Sequence, residues 1–157
     1  MTRIIAGEAR GRTIKVPAEG TRPTADRARE GLFSSLTARW GFAGSSVLDL
    51  FAGSGALGLE AASRGADEAV LVESSADAVK IIRHNMGVVK HPGVRVQEMK
   101  AGTYLASAPR KHFDLVLADP PYAFDEVDAL IAAIEPVLTD HAMVVIERHV
   151  DSADTVW

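Results

Sequence analysis

Short apolar runs alternate along this chain with longer stretches whose apolar residues recur every three or four positions. Val47–Phe51, Ala69–Glu73, Val94–Gln97, Phe113–Ala118 and Met143–Ile146 are runs of the first kind and predict buried strands. Helices are predicted from Ala56 to about Arg64, stopped by Gly65, and from about Ala76 to Met86 after the capping pair Ser74-Ser75. Val127, Leu130, Ile131 and Ile134 mark another by their i, i+3, i+4, i+7 spacing, and a short one is expected around Thr103–Leu105. Ahead of the first strand, Ala28, Leu32, Phe33 and Leu36 form the apolar stripe of a helix expected to start after Thr24, its N-cap, and to end near Trp40-Gly41. Strands alternating with helices imply an α/β fold with a parallel, doubly wound sheet.

Residues 2–16 break this rhythm. Arg3–Ala6 and Thr13–Val16 are β-prone, and Gly7 and Gly11 bracket a polar turn between them, which predicts a small hairpin. Alternation places Ile14 and Val16 on one face and Thr13 and Lys15 on the other. An isolated hairpin is marginal in water, so it must lean on the main domain or on a partner. With few apolar residues, it is expected to add little to the core. Pro17 to Pro23 reads as a linker. The chain therefore divides into an extension, residues 1–22, and a main domain, residues 23–157.

Charge sharpens that division. Residues 1–40 carry eight basic against four acidic side chains, whereas residues 41–157 carry nine against seventeen. A basic arm on an acidic body suits a polyanionic partner held at one end, and Arg3, Arg10, Arg12, Lys15, Arg22 and Arg27 are its candidate contacts. The 157 residues contain no cysteine, which excludes disulfides and thiolate metal sites. The amino terminus lacks a signal peptide's apolar core, and no run approaches the ~20 apolar residues of a membrane span. The expectation is a cytoplasmic, monomeric protein without metal.

The chemistry is concentrated at Asp119-Pro120-Pro121-Tyr122, directly after the run Phe113–Ala118. Two successive prolines can neither extend a sheet nor enter a helix interior, so they fix a stiff loop at a strand's carboxyl end, where open α/β sheets bind ligands. A carboxylate, a carbonyl and a flat ring held together suit a planar exocyclic amine. Asp119 and the Pro120 carbonyl could each accept one amine hydrogen, while Tyr122 stacks on the ring. The alternative is a strand-ending turn in which Asp119 only caps backbone N–H groups.

A second stretch, Asp49 to Gly58, contains Gly53-x-Gly55-x-x-Gly58 between a strand and a helix. Such glycines let a ligand approach the backbone and meet a helix N-terminus. Glu73, twenty residues after Gly53, ends the next strand, where a carboxylate can accept from ribose hydroxyls. Nicotinamide dinucleotides and S-adenosylmethionine both use this arrangement. Asp49 separates them, since an anion there repels a pyrophosphate but attracts an ammonium group. Asp49 as a turn cap and Glu73 as a solvated strand end are the structural alternatives.

Arg3-Ile4-Ile5-Ala6-Gly7, Arg10-Gly11-Arg12, Arg22-Pro23-Thr24, Arg27, Arg29-Glu30, Phe33, the stretch Phe51 to Ala61 and Asp119-Pro120-Pro121-Tyr122 together resemble the RsmD family. Its members are bacterial methyltransferases of a guanine N2 in 16S ribosomal RNA. The resemblance runs from Arg3 to about Glu147. Asp-Pro-Pro-Tyr indicates only the amino-methyltransferase class, and the amino-terminal motifs narrow it. It implies a Rossmann-like methyltransferase sheet, S-adenosylmethionine as cofactor, and the small ribosomal subunit or its assembly intermediate as partner. It further implies cofactor contacts from Phe51, Ala52, Gly53, Ser54, Gly55, Asp49 and Glu73, with Thr24 closing over the methionine end. Lys100-Ala101 falls where relatives often place an Asp or Asn before Ala near adenine, so recognition there is expected to rest on the Ala101 backbone. The family's sheet continues into a closing antiparallel hairpin beyond the point where this sequence stops, Trp157.

A DNA amino-methyltransferase shares the amine chemistry, but no segment is spare for a sizeable target-recognition domain. Protein-glutamine methyltransferases favour Asn where this chain has Asp119. A nicotinamide-dependent oxidoreductase would explain the glycines and an RNA-binding assembly factor the basic arm, yet neither explains the Asp-Pro-Pro-Tyr loop.

Overall fold

Among the described residues, one sheet holds five parallel strands, β3 (Ser46–Leu50), β4 (Glu68–Glu73), β5 (Val94–Glu98), β6 (Phe113–Ala118) and β7 (Leu138–Ile146). Their order is β5-β4-β3-β6-β7, and this order places the site. A separate antiparallel pair, β1 (Thr2–Arg3) and β2 (Thr13–Ile14), forms the expected hairpin. The helices are α1 (Pro23–Arg39), α2 (Ala56–Ser63), α3 (Ala76–Val89), α4 (Ala101–Ser107) and α5 (Val127–Ile134), the last followed by a 3₁₀ turn, Glu135–Val137. This computed structural model describes residues 2–16, 23–39, 41–120 and 127–146, with 23–28 and 39 by backbone alone.

The central strands are apolar on both faces because helices cover both. Val47, Leu71, Leu115 and Leu117 pack with Phe33 and Leu36 of α1, Leu59 of α2 and Ile82 of α3 on one face. Leu48, Leu50, Val70, Val72, Val116 and Ala118 pack with Leu105 of α4 and Leu130 and Ile134 of α5 on the other. Chain order reverses between β3 and β6, whose register pairs Leu50 with Ala118. Phe51 and Asp119 therefore leave the sheet side by side at its carboxyl edge, the switch point at which doubly wound sheets take ligands.

Three expectations change. Helix α1 begins at Pro23, so Thr24 lies inside it rather than at its N-cap; proline's fixed φ and missing N–H suit the first helical position. The last strand begins at Leu138, five residues before the apolar run. Its register jumps from Phe113↔Leu138 to Leu115↔Met143, and Thr139 Oγ1 donates to Asp114 Oδ1 at 2.9 Å. That extension rests on polar pairing, which an apolar pattern does not register.

The third change concerns the hairpin. Ile4 and Ile14 are 1% and 0% exposed and belong to the same core cluster as α1, α2 and α3, so the hairpin contributes fully to the core. Polar groups complete the seam. Glu60, buried in α2, accepts from Ile5 N–H (2.8 Å) and Ala6 N–H (3.1 Å) and pairs with Arg64 at 2.9 Å. Ser63 Oγ accepts from Ala9 N–H (2.9 Å) and donates to the Ala6 carbonyl (2.6 Å). Gly7 makes this approach possible, because a Cβ there would sit 1.7 Å from the Ser63 carbonyl oxygen. The resemblance motif Arg-Ile-Ile-Ala-Gly is thus a docking surface for α2. Of the expected linker, Pro17 to Pro23, residues 17–22 lie outside the described residues, and Pro23 belongs to α1 instead.

Candidate active site

The carboxyl ends of β3, β4 and β6 and the start of α4 enclose a solvent-open cavity of about 780 Å³. Phe51, Glu73, Lys100, Ala101 and Asp119, five of the residues singled out in the sequence, line it. Val72, Ser74, Met99, Gly102 and Thr103 line it too, and the sequence did not mark them. Val72 is a strand residue like its neighbours, and Met99 is one apolar residue beside a charged one; only the fold turns them inward.

The loop after β3 is built by backbone and carboxylate together. Phe51 sits at φ 59°, a region that bulky residues rarely adopt and that is costly without surrounding support. Ala52 N–H donates to the Val72 carbonyl at 2.9 Å, and Gly53 N–H donates to Glu73 Oε1 at 2.8 Å. Glu73 Oε2 accepts from Ser75 N–H, also at 2.8 Å, at the start of α3. Glu73 therefore ties the glycine loop to β4 while remaining half-exposed in the cavity wall. Its carboxylate still has lone pairs for a ligand.

Asp49 lies beneath the loop, 2% exposed. Its Oδ2 accepts from Gly58 N–H at 3.0 Å, which caps the first turn of α2. A Cβ at Gly58 would lie 2.1 Å from Leu71 Cδ2 and 3.2 Å from Asp49 Oδ2, so the glycine leaves room for the Leu71 side chain beside the capping carboxyl. Burial pushes the Asp49 carboxyl up to about 7; the Gly58 N–H opposes this, and the charges of Asp119 and Glu73 add to it. Three carboxyl groups thus share one field at the sheet's edge.

Asp119 is exposed at the cavity, and Pro120 behind it is buried. Pro121 and Tyr122 lie outside the described residues, as does Arg22; Thr24 and Arg27 are placed by backbone alone in α1. Ser54 and Gly55 shape the turn without lining the cavity. Arg3, Arg10, Arg12 and Lys15 are all exposed on the hairpin. Arg12 Nη1 donates to the carbonyls of Val88 (3.2 Å) and Val89 (3.0 Å), so it also holds the hairpin against the end of α3. Asn85, unmarked in the sequence, is fully buried between hairpin and glycine loop. Its Oδ1 accepts from Lys15 N–H (2.7 Å), and its Nδ2 donates to the carbonyls of Lys15 (2.8 Å) and Ser54 (2.9 Å). A lone Asn on a helix gives no sequence signal, because its value lies in two distant partners.

Among the described residues, no group of three or more His, Asp or Glu side chains could hold a metal ion, and no helix is long and apolar enough to cross a membrane.

Residues 2–156 match the family model described as Conserved hypothetical protein 95. The Ribosomal RNA small subunit methyltransferase D of Escherichia coli (strain K12) is 38% identical over 153 residues, which cover 96% of this chain and 76% of the relative. The protein of the same name from Haemophilus influenzae (strain KW20 Rd) is 34% identical over 155 residues, covering 95% and 79%. The solved structure of yhhF from Escherichia coli superposes with a TM-score of 0.82 at 37% identity, covering 97% of this chain and 84% of that one.

Proposed function

This chain belongs to the RsmD family of small-subunit ribosomal RNA methyltransferases, and we propose that it transfers a methyl group from S-adenosylmethionine to the exocyclic N2 amine of a guanine in 16S ribosomal RNA. The observation that carries the cofactor assignment is the pair of carboxylates in the cavity wall, Glu73 and Asp119, with Asp49 buried beneath the glycine loop and within reach of both charges. That field suits a cationic sulfonium and ammonium and opposes a dinucleotide's pyrophosphate. The lining fits the remaining parts: Val72 and Met99 offer apolar walls for a flat base, Ala101 a backbone N–H, and Glu73 acceptors for ribose hydroxyls.

The bound cofactor supplies an electrophilic methyl on a positively charged sulfur. The rest falls to the chain's own groups. The guanine amine is a poor nucleophile because its lone pair is delocalised into the ring. Asp119 and the Pro120 carbonyl each accept one of its hydrogens, which favours a pyramidal nitrogen with the lone pair aimed outward. Tyr122 stacks on the base and fixes its plane, a contact worth roughly 1–3 kcal/mol. No base need remove a proton before attack, since the nitrogen sheds it after methylation. Thr24 closes the methionine end. Arg3, Arg10, Arg12, Lys15, Arg22 and Arg27, on or beside the extension formed by residues 1–22, neutralise phosphates of the RNA. The protein acts as a monomer in the cytoplasm, on the small subunit or its assembly intermediate.

Labelled-methyl transfer measured across assembled small subunits, naked 16S ribosomal RNA and DNA tests the acceptor. Label on guanine N2 of the RNA is expected, and label on adenine or cytosine of DNA alone would move the enzyme to the DNA class. Calorimetry with S-adenosylmethionine and with NAD tests the cofactor; tight binding of NAD alone would remove the reading.

A further inference from the structure

Helix α3 carries a second concentration of positive charge that the hairpin's sequence does not reveal. Lys80 and Arg83 of α3 and Lys90, the residue that follows it, are exposed, and Asp77, in the first turn, is the acidic residue of that helix. This stands out in residues 41–157, where acidic side chains outnumber basic ones by seventeen to nine. Val79, Ile82 and Val89 bury the opposite side of α3, so the basic side chains stand on its solvent face.

What makes α3 more than a solvated helix is how it is joined to the hairpin. Asn85 binds both the N–H and the carbonyl of Lys15, at 2.7 and 2.8 Å, as a neighbouring strand would. Arg12 reaches the Val88 and Val89 carbonyls at the helix end. These bonds, two of them from a fully buried side chain, fix the hairpin against the buried side and the carboxyl end of α3, where Lys90 follows the Val89 carbonyl that Arg12 meets. The start of α3 in turn follows Glu73 and Ser74 in the cavity wall.

We infer that the RNA-binding surface is composite, running from Arg10, Arg12 and Lys15 of the hairpin past Lys90, at the carboxyl end of α3, and along Arg83 and Lys80 of α3 toward the cavity. This rests on the RNA methyltransferase reading above. The partner is the phosphate backbone of the substrate RNA, because exposed lysine and arginine side chains meet phosphates, and such contacts position a polyanion rather than read its bases. Asn85 is a positioning residue: it holds the two halves of the surface in register and also holds the Ser54 carbonyl of the glycine loop at 2.9 Å.

The test is the double variant Lys80→Glu/Arg83→Glu beside a control, Arg110→Glu/Lys111→Glu, which makes the same charge change at exposed residues ahead of β6. Affinity for a 16S ribosomal RNA fragment is measured as a function of salt, with S-adenosylmethionine affinity and melting temperature alongside. The α3 variant is expected to bind RNA at least tenfold more weakly, with a salt slope shallower by roughly 1–2. Cofactor affinity and melting temperature stay unchanged, and the control binds nearly as the parent does. An unaltered slope in the α3 variant, or an equal loss in the control, overturns the proposal. If the parent protein methylates no RNA, the underlying reading fails instead, and the two failures are told apart by the parent's own activity.

Discussion

The hairpin seam and the cavity edge both hold acidic residues against backbone N–H groups, yet they use them differently. At the seam, Glu60 is 0% exposed and meets two backbone N–H groups and the Arg64 guanidinium. At the cavity, Glu73 also meets two backbone N–H groups but stands half-exposed, and Asp119 is open to solvent. A carboxylate enclosed by the protein organises the fold, whereas one that shapes a loop while facing solvent can also meet a ligand. The contrast predicts that changes at the seam cost stability and changes at the cavity cost turnover or affinity.

The strongest way to break this contrast is to remove residues 1–16. Ile4 and Ile14 fill the core, and burying side chains of that kind stabilises by several kcal/mol in total. The truncated protein is expected to be unfolded or aggregated by circular dichroism and gel filtration; a cooperative melt close to that of the full chain would return the hairpin to the status of an accessory arm. Glu60→Ala comes next. It strands the partners of a buried charge, a loss of about 3–5 kcal/mol. For a domain of this size that lowers the melting temperature by about 10 °C, while the protein still folded at low temperature keeps its affinity for S-adenosylmethionine.

Asp119→Ala should behave in the opposite sense. Loss of a positioned hydrogen-bond acceptor is expected to reduce methyl transfer by about 10²–10³, by analogy with oxyanion-hole deletions. Cofactor affinity stays within a few-fold and the melting temperature is unchanged; near-normal single-turnover rates would sink the assignment. Glu73→Ala sharpens the contrast, since this residue both ties down a loop and lines the cavity. Losing charge-assisted bonds of roughly 1.5–3 kcal/mol should weaken S-adenosylmethionine about ten- to a hundredfold by calorimetry, with only a modest drop in stability.

A further effect is spread over pH. Asp49 has its carboxyl raised from 3.8 to about 7 in the folded protein. Between those values the unfolded chain has released the proton that the folded chain retains, so stability falls as pH rises through this window and levels off above it. A cationic ligand favours ionised Asp49, so S-adenosylmethionine affinity should rise as pH passes through about 7. Melting curves and titrations from pH 4 to 8 are expected to show both trends in the parent and neither in Asp49→Asn.

The resemblance motif at the amino terminus shows where one-dimensional reading misjudged weight. Arg3 to Gly7 marked the family, but its few apolar residues gave no measure of how deeply they are buried, which depends on Glu60 and Ser63 more than fifty positions away. The same distance hid Asn85, whose amide joins Lys15 to Ser54.

By itself the sequence determined the alternation of five strands with their helices, the glycine loop and the end of β6 just before Asp119. Each of these is written locally: in apolar period, in glycine spacing, and in prolines that forbid continuation of a strand. Tertiary structure decided what shares a space. Strand order brought Phe51 beside Asp119, parallel register set Glu73 against the Gly53 N–H, and burial turned Asp49 from an ordinary carboxylate into one held near neutrality. Those outcomes depend on which strands become neighbours and on how much solvent each pairing excludes, and the length of chain between the partners carries no record of either.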